Sequence, residues 1–261
     1  KVHQEAVNKI RALYKAQFAA KQYVHAYQTA EKLASIDSSG CGEELLAQMT
    51  KRGLGCNSNP KKAREYYLKA AEKGLAIAMY LYAEMLCYGQ GGDKELVKAV
   101  SWYKKAANKG HAIATCKYGN ALYLGAGVKK NLEGARKCWI KSSEQGLPTS
   151  LYHSAIMSYY GEGGVQSIED SKVMITRANE KGVSISVFLS QALSAKSTVF
   201  AQEKYGFLVK ELSDVALEEL IAKVHPSHKA WLESQKAIRA QASVSMFAEQ
   251  SSKDTLDNVW S

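Results

Sequence analysis

Five cysteines, two closely spaced histidines and one glycine cluster are the residues of this chain best suited to chemistry. Cys41, Cys56, Cys87, Cys116 and Cys138 contain no C-x-x-C pair, which argues against zinc ribbons and thioredoxin-like redox sites. Their number is odd, so at least one thiol lacks an internal partner. His225 and His228 stand three apart, a spacing that on one helical face begins a metal site. Pro226 breaks the local helix, and no Cys or carboxylate pattern completes the set. A loop carrying two exposed imidazoles is expected instead. Gly161-Glu162-Gly163-Gly164 lacks the G-K-[ST] that a phosphate loop requires. No G-x-S-x-G elbow or H-E-x-x-H occurs, and Ser194 and Lys196 are too close for S-x-x-K. No catalytic residue, metal ligand or cofactor follows from these patterns, so the expectation is a protein that is not an enzyme and has no small-molecule substrate.

Composition narrows the remaining classes. Of the 261 residues, 46% are hydrophobic and 23% charged, enough to bury a core and stay in solution. Proline is rare, with three in the chain, which favours helices. No apolar run reaches the roughly 18 residues needed to span a bilayer. The first residue is Lys1 rather than Met, so a trimmed or mature chain is expected. The net charge of +10 raises the question of an anionic partner. The lysines, however, are dispersed and no run of six like charges occurs. A solvated basic face, without nucleic-acid binding, is the expectation.

The elements that position these residues repeat. Gly74, Gly110, Gly146 and Gly182 are each 36 residues apart and close the stretches KAAEKG, KAANKG, KSSEQG and RANEKG. G-x-G pairs recur at the same period, at Gly53 and Gly55, Gly89 and Gly91, Gly125 and Gly127, and Gly161 and Gly163. Within the copy after Gly110, Ala112 to Leu124 carries Ala114, Tyr118, Ala121 and Leu122 at helical spacing. Gly119 on that face predicts close approach of a second helix. Gly125 then stops this helix and Asn131 caps the next. Ala135, Cys138, Trp139 and Ser142 form the buried stripe of that second helix. Asn59 and Ser167 hold the same cap position in their copies, whereas Glu95 does not fit and Asp93 is the expected substitute. Each unit is therefore helix A, a glycine turn, helix B and a second glycine turn. One hairpin cannot bury its apolar faces alone, but stacked hairpins can, giving an all-α, right-handed superhelical solenoid.

Ala114, Tyr118, Gly119, Leu122, Gly125, Gly127 and Val128, together with Ala99, Trp102, Tyr103, Lys105, Ala106, Ala107 and Gly110, resemble the Sel-one-like repeat, a tetratricopeptide-like helix pair found in bacterial proteins. The match runs from about Leu45 to Gly182. It departs where Tyr118 replaces the usual Leu and where Cys138 and Met174 replace the first aromatic of helix B. Some exported members staple helix A to helix B with cysteines at fixed repeat phases. Here all five cysteines fall at different phases, so buried free thiols are expected rather than a disulfide ladder.

The predicted organisation has three parts. Residues 1–38 form a degenerate capping helix pair with Leu33 and Ala34 in helix B phase. Residues 39–183 form four repeats of 36 residues. Residues 184–261 form a closing segment. Ile185 to Ala195 has helix A character, Phe207 to Val224 and Lys229 to Phe247 have helical spacing, and the polar end from Gln250 is expected to fray.

The resemblance implies that helix A lines a concave groove. The positions left over by the motif are Tyr80, Glu84 and Cys87 in one repeat, Cys116, Asn120 and Tyr123 in the next, and Tyr152, Ile156 and Tyr159 in the third, with Phe188 extending the row. Tyr82 and Tyr118 are expected to pack between repeats. Tyrosine supplies contact area and a hydroxyl at low entropic cost, which fits protein recognition. The function expected from the family is therefore non-catalytic binding of a protein partner by a monomer, as an adaptor, regulator or immunity protein that neutralises a toxin. The alternatives are an envelope or secretion-system assembly factor, an effector that binds a host factor or, from an activity proposed for some relatives, a β-lactam-binding hydrolase, which would need an activated Ser near a Lys or Glu. Family habit points to the bacterial periplasm, envelope or export, and unpaired cysteines to the cytoplasm.

Overall fold

The computed structural model describes residues 2–185, 208–209, 212–224 and 228–238. Phe188, Ser194, Lys196, His225 and the end from Gln250 lie outside them. Every regular element among the described residues is a helix. The pairs run α1 (Val2–Ala19) with α2 (Tyr23–Ile36), α3 (Cys41–Arg52) with α4 (Pro60–Glu72), α5 (Ala76–Tyr88) with α6 (Leu96–Asn108), α7 (Ala112–Leu124) with α8 (Leu132–Glu144), and α9 (Ser150–Tyr160) with α10 (Ile168–Glu180). These are followed by α11 (Asp214–Lys223) and α12, residues 228–238. The chain forms two compact units, Lys1–Ser150 with Glu162–Val165, and Leu151–Gly161 with Gln166–Ser261. The division falls inside the stretch read as the fourth repeat.

In the first unit each helix from α1 to α8 packs on its sequence neighbours, as a one-dimensional stack requires. The core is built from small residues that bring helices close, Ala63, Ala70, Ala78, Ala99, Ala106 and Ala114 among them. The aromatics Tyr67, Tyr82, Trp102 and Tyr103 fill the space between. In the third copy serine replaces alanine, and each hydroxyl needs a partner. Buried Ser142 Oγ donates to Ala112 O at 2.8 Å and pairs with Ser150 Oγ at 3.0 Å, while Ser143 Oγ donates to Ile140 O at 2.6 Å. Gly119 lies against Trp139 and Cys138 of α8, the close approach the sequence predicts.

Two devices set the spacing of the repeats. The second glycine of each G-x-G lies with positive φ where a side chain would strike the start of the preceding helix B. At Gly91, a Cβ would stand 2.3 Å from Pro60 O. Arg64 of α4 also reaches forward, donating to Asp93 O at 3.1 Å and pairing with Glu95. Asn59, Asn131 and Ser167 cap their helices as expected, each accepting from an amide three residues on. Asp93 does not substitute in the remaining copy. Glu95 itself holds the cap position without capping, because its carboxylate is engaged by Arg64 and Lys98.

In the second unit Leu151, Ala155, Ile175, Leu208, Leu217, Leu220 and Leu232 form one core. The predicted single helix over Phe207–Val224 is interrupted: residues 212–213 are not helical, and Ser213 caps α11 through Ala216 N–H. His228 is not an exposed loop imidazole. It is fully buried at the start of α12.

Candidate functional site

The site is built on α5 and α7, adjacent helices A of the first unit. On each, the side facing helix B is buried, by Ala78, Tyr82, Ala83 and Leu86 on α5 and by Ala114, Ala121 and Leu122 on α7. The opposite side carries the exposed residues. Ile77 and Tyr88 on α5 are 42% and 62% exposed, and Ile113 and Leu124 at the same repeat phases on α7 are 42% and 67% exposed. Leu81 and Glu84, and Lys117 and Asn120, fill the positions between them and are half-buried. The exposed stripe is therefore 77, 81, 84, 88 and 113, 117, 120, 124. At about 100° per residue it is rotated about 60° from the stripe expected through 80, 84 and 87.

The rotation has a physical cause. The Tyr80 side of α5 faces the following repeat, where its ring stacks on His111 at 4.9 Å and lies 6.2 Å from Tyr103. His111 caps α7, its Nδ1 accepting from Ala114 N–H at 3.1 Å, and burial pushes its imidazole below the ordinary value. Glu84 accepts from Tyr103 Oη and pairs with Lys117 Nζ at 3.3 Å, which ties α5 to α7. Burial and the Glu84 hydrogen bond push the Tyr103 phenol up. Burial opposes the Lys117 charge, but Glu84 and the phenols of Tyr88 and Tyr80 outweigh it and hold the ammonium above its ordinary value. Asn120 Oδ1 accepts from Trp139 Nε1 at 2.9 Å, and Tyr123 packs against Trp139 while its hydroxyl donates to Glu162 at 3.0 Å. Glu84, Asn120 and Tyr123 thus stand on or beside the stripe, each held by a partner from another element. Cys87 and Cys116 are half-buried beside it, and burial raises the Cys116 thiol.

The Sel1 repeat family matches at 43–75, 76–111 and 112–147. Residues 43–147 are Sel1 repeats. A Sel1 repeat protein from Oxalobacter formigenes is similar in structure, with a TM-score of 0.65 at 24% identity over 87% of this chain and 98% of that one. A protective antigen of uropathogenic Escherichia coli displaying an SLR fold has a TM-score of 0.67 at 21% identity, over 90% of this chain and 54% of its own. PilF of Pseudomonas aeruginosa has a TM-score of 0.52 at 16% identity, over 85% and 99%. Comparison with curated proteins finds no significant match.

Outside the Sel1 repeats so matched, the expected groove positions behave differently. Tyr152 and Ile156 do not offer a surface. Both are buried in the core of the second unit, and the Tyr152 hydroxyl donates to Val183 O at 2.7 Å and lies 2.9 Å from the Asn179 side-chain amide. Tyr159 is half-buried, edge-on to Tyr160, and Phe188 lies outside the described residues. All five cysteines are free thiols. Among the described residues no group of His, Cys, Asp and Glu is arranged to hold a metal ion, and no helix is long and apolar enough to cross a membrane. The sequence reading missed Ile77, Tyr88, Ile113, Lys117 and Leu124. A signal was present: 77 and 113, and 88 and 124, are large apolar residues at equal phase that the repeat motif does not require.

Proposed function

We propose that this chain is a non-catalytic protein-binding module whose Sel1 repeats present the exposed stripe of helices A to a protein partner, in the role of an adaptor, regulator or toxin-neutralising protein. The observation that supports it most is the exposure of Ile77, Tyr88, Ile113 and Leu124 on one face of adjacent helices. Apolar side chains standing in register on a rigid surface gain by being covered. The rest of that face is held in place by the Glu84–Lys117 pair and the Trp139–Asn120 hydrogen bond, so little ordering entropy is lost on binding. Nothing on the face activates a nucleophile, and its one ion pair is a fastening between helices.

Affinity capture with the full chain tests this. Proteins bound by the parent and released by the fourfold Ile77→Ser, Tyr88→Ser, Ile113→Ser, Leu124→Ser variant, identified by mass spectrometry, are the expected result. Equal recovery by both chains, or turnover of a chromogenic β-lactam by the parent, would refute it.

A further inference from the structure

The stripe is not uniform along the helices. Its Ile77 and Ile113 end meets the turn between repeats, while its other end meets the G-x-G turn and a cluster of cations. At that second end Arg52, Tyr88 and Leu124 occupy one phase on α3, α5 and α7 and are all exposed. Lys94 and Lys130 occupy the next shared phase. Their Cβ atoms lie 3.6 and 3.2 Å from where a side chain on Gly89 or Gly125 would begin, directly beyond Tyr88 and Leu124. Lys51 and Lys129 flank them, both exposed. The carboxylates on this edge include Asp93, Glu95, which is paired with Arg64 and Lys98, and Glu162, which accepts from Tyr123. Five exposed cations therefore lie on the ends of α3, α5 and α7 and the turns that follow them, where Tyr88 and Leu124 are exposed, and they outnumber the carboxylates named.

We propose that this edge of the first unit docks an acidic protein segment carrying apolar side chains, its carboxylates facing Lys94, Lys130 and Arg52 and its apolar side chains covering Tyr88 and Leu124. The proposal rests on the protein-binding reading above and names the chemistry of the partner. Charge complementarity selects the occupant. A second copy of this chain would bring the same cations against themselves in a two-fold contact, at a cost. Nucleic acid satisfies the cations but gives Leu124 nothing to bury. Spacing adds a constraint. Neighbouring helices lie about 10 Å apart, and α5 and α7 are tied by Glu84 and Lys117. Two apolar residues three apart in a polyproline II segment share one face and span about 9 Å at about 3.1 Å per residue, so such a segment running across the helices meets Tyr88 and Leu124 in turn.

The test uses the full chain and two short fluorescent peptides. One carries Leu at every third position among Glu and Ser, and the other has Lys in place of Glu. Anisotropy titrations should show the Glu peptide binding about tenfold more tightly than the Lys peptide, with affinity falling as salt rises. Tyr88→Ser with Leu124→Ser should weaken it about tenfold, as loss of a central apolar contact does. Lys94→Glu with Lys130→Glu should reverse the preference between peptides. All six positions are exposed, so unchanged far-UV circular dichroism and urea midpoints are expected of each variant. Tighter binding of the Lys peptide, or binding that only Ile77→Ser with Ile113→Ser removes, overturns the assignment of an acidic partner to this edge and leaves the protein-binding reading standing. No peptide binding, together with capture of an oligonucleotide or of anionic vesicles that survives Tyr88→Ser with Leu124→Ser, overturns both.

Discussion

Replacing glycine with alanine at two positions that look alike in sequence should have unequal effects. Gly91 and Gly110 both close helix-end turns, and both have positive φ, 74° and 87°. At Gly110 an added Cβ meets nothing within 4 Å. Alanine there bears only its left-handed strain of about 1–2 kcal/mol, offset by about 0.4–1 kcal/mol from the stiffer unfolded chain, a net loss of about 1 kcal/mol. At Gly91 the Cβ would stand 2.3 Å from Pro60 O, 2.6 Å from its carbonyl carbon and 2.9 Å from Lys61 N. These are backbone atoms at the start of α4 and cannot swing aside. Ordinary contact begins near 3.4 Å, so α4 must retreat by about 1 Å. Overpacking of that kind adds about 1–3 kcal/mol to the strain, for a total loss of about 3 kcal/mol. Equilibrium urea unfolding followed by circular dichroism measures both. Equal losses, within about 0.5 kcal/mol, would refute the view that the second turn glycine sets the spacing between repeats.

Asn131→Ala removes the side chain that accepts from Gly134 N–H at 2.8 Å and should cost about 1 kcal/mol in urea unfolding. His111, depressed by burial, contributes stability that is complete above its unfolded value of about 6.5 and is lost as pH falls below it. The urea midpoint should therefore drop between about pH 7 and pH 5, and His111→Asn, which keeps a cap acceptor, should flatten the decline. His153, pushed down to about 4 by burial, should leave a residual slope that His153→Gln removes. Burial raises the Cys116 and Cys138 thiols, so alkylation at neutral pH should reach them slowly in the folded chain and promptly in urea, followed by mass spectrometry of their peptides.

Much of the architecture was legible because it recurs. The 36-residue period, the caps at Asn59, Asn131 and Ser167, the closing glycines and the contact of Gly119 with α8 each follow from one local rule applied at one phase. The failures lie where a rule has competition. Glu95 is drawn from capping into an ion pair with Arg64, a residue 31 positions away that no local window contains. Ser213 interrupts the apolar spacing of 207–224 because its hydroxyl offers the next helix a better start than continuation. Tyr152 looked like its counterparts at 80 and 116, yet it sits in a different unit whose core reaches around it.

The misplaced stripe is the most informative of these. The repeat motif records the side of helix A that meets helix B, since that contact is the same in every copy and draws the same small residues. It does not record the side that meets the next helix A, because there the residues change from copy to copy: Tyr80 becomes Cys116, Leu81 becomes Lys117, Glu84 becomes Asn120. Subtracting the motif leaves two neighbouring sides of the helix undivided. What divides them is a contact made once, the stacking of Tyr80 on His111, which turns one side inward and leaves Ile77, Leu81, Glu84 and Tyr88 outward. Such variation is what a binding surface on a repeating scaffold needs. The scaffold keeps its period where helices pack, and it departs from that period where a particular partner must be distinguished from others.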